Sequence, residues 1–499
     1  MIFTAPSRFR WAFCQLEALR HCLAPRVRHM LEELPETLDE TYERILKDIN
    51  KANRDLAHRL LQCLTVAVRP LRVAELAEVL AVDFGTASAA GTSKLNTDWR
   101  WEDQEEAVLS TCSSLISVVD EQADFLSTRS SLISAVDEHG GQVVQFSHFS
   151  VKEFLTSSRI GDASSDVSRF HIFLEPAHTI LAKACLGVLM RLGELVDVDK
   201  VEDKSPLARY AAEHWVDHAR FENVWSYIRE GIEDLFDRDK PYLAAWLQVH
   251  DIDTYSGDFL PLFGDSTHKD SNTATPLYYA ALCGLHDLAE QLLIKHPQQV
   301  NTIGGYFVSP LGAALSRGDL KIAQLLYEHG AEVDVQGTEN RTPLRAESRS
   351  GHFEIVQWLL SRGANLTVRD EGLGWTPLHV AACWGQVEVS RLLLQYKADI
   401  HAHDKEGQTP LHRAAQHNQV NAARLLLEHG ADVNARDNKR NTPLHLVSDY
   451  GYPLDIARLL VENGANIDAE DDMGRTASQL ASERGRDFVA KFLSDCGSK

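Results

Sequence analysis

The chain has 499 residues, 44% of them hydrophobic, and a formal net charge of −22 at pH 7. This length exceeds what one hydrophobic core supports, so we expect a globular protein with two or more folded units. A strongly acidic chain repels phosphate groups, which argues against nucleic acid or an anionic membrane as its main partner. Residues 272–499 hold 28 acidic and 22 basic residues, so most of the negative charge lies before them.

Cysteine usage indicates a reducing compartment, and hydropathy indicates neither a membrane span nor a secretory signal. Eight cysteines are scattered along the chain without a CxxC pair, which favours buried thiols over disulfides or a zinc site. The most apolar stretch, 180–192, contains Lys183 and Arg191 and is too short to span a bilayer. The first residues lack a charged lead followed by an apolar core, so we expect no secretory signal. We therefore expect a cytoplasmic protein without membrane insertion.

The first half of the chain is predicted to be helical with one hairpin. Thr37 and Glu40 form a capping box that begins a helix with an apolar face. Helices are predicted over 8–50, 56–68 and 73–82, and β-like runs over 115–119 and 143–149. Three helices followed by a two-stranded wing is the order of a winged-helix unit. The predicted boundaries are 1–53 for a helical remnant, 54–160 for the winged helix, 161–255 for a helical region, 256–271 for a linker and 272–499 for the repeats.

A short phrase is duplicated near the predicted hairpin. Residues 113–121 recur almost unchanged as residues 130–138. One copy suffices for a hairpin, and the other is either a recent duplication or an artefact of gene prediction. We therefore expect poor order around residues 120–130.

Several motifs suggest chemistry, and each has a simpler explanation. Asp120 and Glu121 end a strand that resembles a Walker B strand, but the sequence contains no Gly-Lys pair for a phosphate loop, which favours acids at a hairpin turn. His214 and His218 have the spacing of a zinc helix without a nameable third ligand, which favours a packed or solvated helix face. No GxSxG hydrolase motif occurs. DNA binding by the winged helix is a weaker hypothesis, because residues 54–160 hold 15 acids and 9 bases.

Seven copies of one phrase, Thr-Pro-Leu-x-x-Ala or a variant, follow in the last part of the chain. Successive copies are 33 or 34 residues apart, and this period with this phrase is the signature of ankyrin repeats. In a typical unit threonine caps an inner helix, proline takes its first position, and glycine ends the outer helix. Lys397 replaces that glycine in the fourth unit, at an expected cost of about 1 kcal/mol. The copies begin at Thr275, Ser309, Thr342, Thr376, Thr409, Thr442 and Thr476.

Contacts with a partner are expected from the fingertips and from two variable positions before each inner helix ends. Arginine and aromatic residues anchor interfaces, so these residue types define the candidate site. At each position a solvated side chain without a contact is the alternative, and for Trp375, just before a Thr-Pro pair, packing is the favoured role. The candidates are Arg317, Arg349, Trp375, Trp384, His417, Arg440 and Tyr450.

The sequence resembles a known receptor family along most of its length. The run from Leu34 to Leu46 (LPETLDETYERIL) resembles the segment that follows the nucleotide-binding core in NACHT-type STAND proteins. Residues 69–80 and 146–155 resemble the winged-helix unit of the same proteins, which is also named after GPI inositol-deacylase-like proteins. Together with ankyrin repeats, this order is typical of fungal NOD-like receptors. The chain lacks the GxxxxGK[ST] phosphate loop of that family, so the resemblance does not extend to ATP-driven switching.

The sequence therefore predicts a mainly α fold, in which a winged-helix and helical region precedes an α-solenoid of about seven ankyrin repeats. We expect a non-enzymatic protein, without cofactor or metal, that binds a protein partner through the concave face and fingertips of the repeats. The resemblance implies a role in signalling or innate recognition. The alternative is a truncated NACHT-type P-loop NTPase switch whose nucleotide-binding core is missing from the chain.

Overall fold

The computed structural model describes residues 37–83, 94–95, 115–120, 142–161, 163–193, 205–253, 274–336, 342–450 and 454–497. The fold is mainly helical, as predicted. The chain divides into two compact units, Met1–Ile252 and Asp253–Lys499. The predicted linker, 256–271, and the part of the predicted helical remnant before residue 37 lie outside the described residues.

Three helices begin the described part of the first unit. They are α1 (Leu38–Asp48), α2 (Arg54–Val66) and α3 (Val73–Leu80), with a 3₁₀ turn at Lys51–Asn53 before α2. The predicted capping box is present, because the Glu40 amide donates to Thr37 Oγ1 at 3.1 Å and the Thr37 amide donates to Glu40 Oε2 at 3.3 Å. Both bonds satisfy amides that a helix start otherwise leaves unpaired.

An antiparallel sheet accompanies these helices. Its strands are β1 (Leu71–Arg72), β4 (Ile116–Asp120) and β5 (Gln142–Phe146), and a separate pair joins β2 (Val82–Asp83) to β3 (Lys94–Leu95). The strand order is β1–β5–β4, with Val118 opposite Val144. The first copy of the duplicated phrase forms β4, whereas the second copy, 130–138, lies outside the described residues. The order of helices and hairpin matches the expected winged helix, and that assignment stays a prediction.

Seven further helices complete the described part of the first unit. They are α4 (Phe149–Thr156), α5 (Ser158–Gly161), α6 (Ser165–Ser168), α7 (Leu174–Leu192), α8 (Ala208–Ala219), α9 (Val224–Leu235) and α10 (Tyr242–Val249). The rings of Trp215 and Trp246 meet edge to face at 5.2 Å inside this bundle. The Trp246 indole donates to the Ala212 carbonyl at 2.9 Å, so its one polar group is satisfied. None of the described helices combines the length and the apolar character that a membrane crossing requires.

A buried carboxylate fixes α3 against the start of α8. Glu78 accepts hydrogen bonds from Arg191 at 2.9 Å, from the Ser205 hydroxyl at 2.7 Å and from the Leu207 amide at 2.8 Å. Three donors, one of them charged, offset the cost of removing this carboxylate from water. The contact therefore ties the winged-helix candidate region to the helical bundle inside the first unit.

The histidine pair of the predicted zinc-helix spacing is packed into the fold. His218 is fully buried, and its ring nitrogens lie 2.9 Å from Tyr210 Oη and 2.9 Å from His178 Nδ1. Burial lowers the pKa of His218 to about 3, so the ring is neutral in the folded state. His214 instead pairs with Asp217 at 3.3 Å. The two histidines thus have different surroundings. His218 is packed inside the bundle, and His214 pairs with an acid on its own helix.

Seven helix pairs form the described part of the second unit, one for each predicted copy of the repeat. The inner helices are α11 (Pro276–Leu282), α13 (Pro310–Ser316), α15 (Pro343–Ser350), α17 (Pro377–Cys383), α19 (Pro410–Gln416), α21 (Pro443–Tyr450) and α23 (Ala477–Glu483). The outer helices are α12 (His286–Lys295), α14 (Leu320–Glu328), α16 (Phe353–Ser361), α18 (Val387–Gln395), α20 (Val420–Glu428), α22 (Leu454–Glu462) and α24 (Asp487–Gly497). A short 3₁₀ turn at Pro297–Gln299 follows α12.

Histidines of the repeated phrase connect neighbouring repeats. His379 Nδ1 lies 2.8 Å from Thr376 Oγ1 at the start of its own helix, while Nε2 lies 3.0 Å from the Gln408 carbonyl of the next finger. His412 and His445 repeat this arrangement in the following units, each 3.1 Å from the next finger's carbonyl. Each ring therefore caps one helix and holds the adjacent finger, which couples stability between repeats.

Candidate partner-binding surface

The predicted variable positions lie together in the second unit because successive inner helices pack side by side. We call the pairs of residues at the C-terminal ends of α13, α15, α17, α19, α21 and α23, including the residue that caps the helix where it stops one position earlier, the inner-helix ladder. It comprises Ser316 and Arg317, Arg349 and Ser350, Cys383 and Trp384, Gln416 and His417, Asp449 and Tyr450, and Glu483 and Arg484. The side chain of Tyr450 lies outside the described residues.

Arg317 is the exposed cation at the second-repeat end of the ladder. It follows the last residue of α13, and its amide closes that helix. Its guanidinium makes no hydrogen bond or ion pair with any residue in the described ranges of the chain. A guanidinium of this kind offers five N–H donors to a carboxylate.

Arg349 and Trp384 form a stacked pair across the third and fourth repeats. The guanidinium carbon of Arg349 lies 4.5 Å from the centre of the Trp384 ring, which is a cation–π contact. The Gln386 side chain donates to the Arg349 carbonyl at 2.9 Å and holds the end of α15 in place. The pair is half-buried, so it is accessible yet fixed by its surroundings.

Trp375 supports this pair from inside the repeat. Its side chain is 3% exposed and packs with Val380 and Cys383, and Trp384 lies against the same cluster. The structure therefore places Trp375 in the favoured packing role and not on the accessible surface. Trp375 is therefore removed from the residues predicted to contact a partner, because a buried indole exposes almost no area to one.

Arg413 is a buried ladder-side residue that sequence reasoning missed. Its guanidinium lies 4.8 Å from the centre of the Trp375 ring and contacts Asp404 Oδ2 at 2.6 Å and Glu406 Oε2 at 2.7 Å. It also donates to the Gln416 side chain at 2.8 Å. One signal pointed to it: Arg413 is the charged residue at a position that the neighbouring copies fill with Val380 or Leu446.

His417 lies at the end of α19, and Arg440 lies in the finger that follows the fifth repeat. His417 is half-buried, its Nε2 atom has no hydrogen-bond partner among the described residues, and burial beside Arg413 lowers the pKa of its ring. Arg440 is exposed on the fingertip between the fifth and sixth repeats with a φ of 60°. Glycine takes the corresponding place in the finger of Gly407, where φ is 77°.

The last two repeats differ from the others in that their ladder charges pair with each other. Arg484 Nε lies 2.6 Å from Asp449 Oδ1, and Arg475 contacts Asp471 at 2.8 Å and Glu483 at 3.1 Å. These cations and anions satisfy one another within the chain. The C-terminal end of the ladder therefore carries little unbalanced charge.

A buried carboxyl lies below the ladder in the third repeat. Glu347 is buried where the neighbouring units have Ala381 and Ala414, and its Oε2 atom lies 2.6 Å from His352 Nδ1. Burial raises the pKa of Glu347, while the hydrogen bond to Glu347 raises the pKa of His352. A protonated His352 beside an ionised Glu347 is a neutral pair, so this contact adds no net charge to the accessible edge of the repeat.

Four of the described fingers are each organised by one aspartate that sequence reasoning also missed. The Asp404 carboxylate accepts from the Glu406 amide at 2.9 Å and from the Gln408 amide at 2.8 Å. The aspartates at 370, 437 and 471 bind amides of their own fingers in the same way. Their spacing of 33 or 34 residues was visible in the sequence, but the sequence alone did not show that these acids face inward.

A group of possible metal ligands lies away from the ladder. His286, Asp287 and Glu290 on α12 place ligand atoms within 4.8 Å of one another, and all three residues are exposed. Exposed groups at successive turns of a helix reach this spacing routinely, so we assign no ion to them.

Comparisons with known proteins agree with the repeat architecture. The family model for ankyrin repeats (3 copies) matches residues 300–370 and 344–437. A second family model, for ankyrin repeats (many copies), matches residues 426–481. The chain is also 30% identical over 307 residues to "Azaphilone pigments biosynthesis cluster protein L" of Monascus ruber. That match covers 59% of this chain and 59% of the relative, which is less than two thirds of the relative's length. The C-terminal region of the chain consists of ankyrin repeats.

Proposed function

We propose that the protein is a non-enzymatic interaction protein that binds a protein partner through the inner-helix ladder and the fingertips of its repeats. Ankyrin repeats support a protein-binding role in general. The observation that carries the specific proposal is the Arg349–Trp384 stack, which is accessible and is held from below by the buried cluster around Trp375.

The physical basis is that this stack fulfils the conditions for an interface anchor. Tryptophan and arginine contribute most binding energy where they are fixed before the partner arrives. Trp384 is fixed by the buried cluster, and Arg349 is fixed by the ring below it and by the Gln386 contact to its carbonyl. Little conformational entropy is therefore lost at these side chains on binding.

A partner-capture experiment with the full chain tests the proposal. The double variant Arg349→Ala and Trp384→Ala removes the stack, whereas Glu328→Ala on the exposed face of the outer helix α14 is the matched control. We expect the unchanged protein and the control to capture the same partner from a lysate. The double variant should capture at least ten-fold less of that partner than the unchanged protein does. Equal capture by all three proteins would reject the ladder as the binding surface.

The cellular role and location extend this proposal. We propose a cytoplasmic protein in signalling or innate recognition, as the resemblance of residues 34–46, 69–80 and 146–155 to NACHT-type receptors implies. Nucleic acid is not the proposed partner, because phosphates need a continuous cationic track and the ladder contains acidic as well as basic residues, with Arg484 paired to Asp449.

The alternative from the same resemblance is a P-loop NTPase switch. It differs from an interaction protein in one measurable property, which is nucleotide binding by this chain. Titration with a fluorescent ATP analogue separates the two, since an interaction protein without a phosphate loop binds none. Saturable binding at micromolar concentration would instead support the NTPase.

A further inference from the structure

We propose that repeats two to four bind an extended acidic segment of the partner, with a carboxylate on Arg317 and an apolar side chain on the Arg349–Trp384 stack. This inference rests on the proposed function of the inner-helix ladder and specifies the chemistry of its ligand. Three features support it: the uneven charge balance along the ladder, the geometry of the stack, and the spacing of the repeats.

The first feature is that the ladder divides into a neutralised part and a part with an available cation. In the last two repeats the ladder residues Arg484 and Asp449 are paired with each other, and beside the ladder in the fifth repeat the buried Arg413 is paired with Asp404. Arg317 in the second repeat is exposed and has no acidic partner among the residues that the structure describes. A carboxylate of the partner provides the counter-charge that the chain supplies elsewhere for itself, through charge-assisted hydrogen bonds.

The second feature is the apolar area of the stacked pair. A half-buried indole with a guanidinium over its ring offers apolar area to a partner, and the positive charge beside that area favours an acidic ligand. The contact of 4.5 Å between Arg349 and Trp384 places both kinds of surface at one point of the ladder. An acidic segment with an interspersed aromatic or aliphatic residue matches this combination, because both kinds of contact are made together.

The third feature is that the spacing of the ladder suits an extended chain. Packed helices lie about 8–10 Å apart, and an extended chain advances about 3.3 Å per residue. One repeat therefore corresponds to about three residues of the ligand. The carboxylate at Arg317 and the apolar side chain at Trp384, two repeats away, are thus separated by about six residues.

The acidity of the whole chain does not exclude an acidic ligand. At physiological ionic strength charges are screened beyond about 8 Å, so the residues in contact determine the interaction more than the distant net charge. A nucleic acid needs a continuous cationic track for its phosphates, and the ladder ends in the Arg484–Asp449 pair instead. Among anionic ligands, the surface therefore favours a short acidic peptide segment over a polynucleotide.

Peptide display on the full chain tests the ligand class directly. A random library of 12-residue peptides is selected on the immobilised protein, and the composition of the bound peptides is compared with the starting library. We expect enrichment of Asp and Glu together with an aromatic or aliphatic residue. Enrichment of Lys and Arg, or of uncharged peptides, would overturn the acidic ligand and leave the proposed protein-binding function in place.

A charge-reversal series then tests the place of binding. The probe is a fluorescent 12-residue peptide with glutamates at every third position and one tyrosine six residues from a glutamate, followed by anisotropy. We expect Arg317→Glu to weaken binding at least ten-fold, while Arg424→Glu, an equal charge change at an exposed position of the outer helix α20, leaves it unchanged. Equal binding to the Arg317→Glu variant, to a lysine counterpart of the peptide or to single-stranded oligothymidine would overturn the inference.

Discussion

Lys397 occupies a backbone conformation that favours glycine. Its φ is 72°, and Gly363 and Gly430 at the equivalent helix ends have φ values of 83° and 90°. A residue with a Cβ atom loses about 1 kcal/mol in this conformation. We therefore expect Lys397→Gly to raise the free energy of unfolding of the repeats by about 1 kcal/mol, measured as the midpoint of urea unfolding followed by circular dichroism.

Gly430→Lys provides the matched control for this effect. A Cβ atom built at Gly430 meets no atom within 4 Å, so the substitution changes backbone strain and little else. We expect it to lower the free energy of unfolding by about the amount that Lys397→Gly gains. A stable Gly430→Lys variant with an unchanged midpoint would show that strain at these helix ends is relieved by other means.

Removal of Arg413 should destabilise the repeats strongly. The carboxylate of Asp404 is fully buried beside it, so Arg413→Ala removes the counter-charge and leaves this carboxylate with backbone amides alone. Breaking such a pair costs about 3–5 kcal/mol. The exposed Arg424→Ala variant is the control and should change the free energy of unfolding by less than about 0.5 kcal/mol. Equal unfolding midpoints for the two variants would contradict the assigned role of Arg413.

At the scale of the repeated element, three histidines make the stack sensitive to acid. Burial lowers the pKa of His379 and of His412 to about 4, and it also lowers the pKa of His445. Because the folded-state pKa lies below the unfolded value of about 6.5, their stabilising contribution is complete above pH 6.5. It is then lost as the pH falls from about 6.5 towards 4, because the unfolded chain binds protons while the folded rings stay neutral as acceptors at the helix starts.

The triple variant His379→Gln, His412→Gln and His445→Gln tests this dependence. The chain itself places Gln479 at the same position of the last repeat, where its side chain accepts from the Thr476 amide at 2.9 Å. We expect the urea midpoint of the unchanged protein to fall more steeply between pH 7 and pH 5 than that of the variant. Parallel curves for both proteins would show that other groups cause the loss at low pH.

The elements of the repeats were predictable because their signals are local. Thr409 and Pro410 start a helix through the hydroxyl cap and the fixed proline backbone, and Gly430 ends the next helix through its left-handed conformation. Such features depend on neighbours within a few residues. The inner and outer helices of the seven copies accordingly lie where the period places them.

The arrangement of the candidate site was only partly predictable, because it depends on residues far apart in the chain. Trp384 was selected for its variable position, but its stack on Arg349 requires two repeats to pack side by side. Asp404 and Arg413 form an ion pair that follows from the fold of a finger over its helix. Burial of Trp375 likewise results from packing, so the residue type alone did not show whether this side chain packs inside the repeat or contacts a partner.

At the scale of the whole molecule, function is expected to be concentrated in one of two units. The first unit, Met1–Ile252, contributes polar residues that are engaged inside its own core, such as Glu78 and His218. The second unit, Asp253–Lys499, carries the accessible stack and the exposed cations of the ladder. The binding of a partner should therefore change the exposure of the second unit and leave the core of the first unit unaffected.

Hydrogen–deuterium exchange of the full chain, with and without its captured partner, tests this claim most directly. We expect the partner to slow exchange in peptides that cover residues 316–318, 345–352 and 380–387, where inner helices end. Peptides from the outer helices and from the first unit should exchange at unchanged rates. Slowed exchange confined to the first unit or to the outer helices, with unchanged rates at the ends of α15 and α17, would contradict the inner-helix ladder as the binding surface.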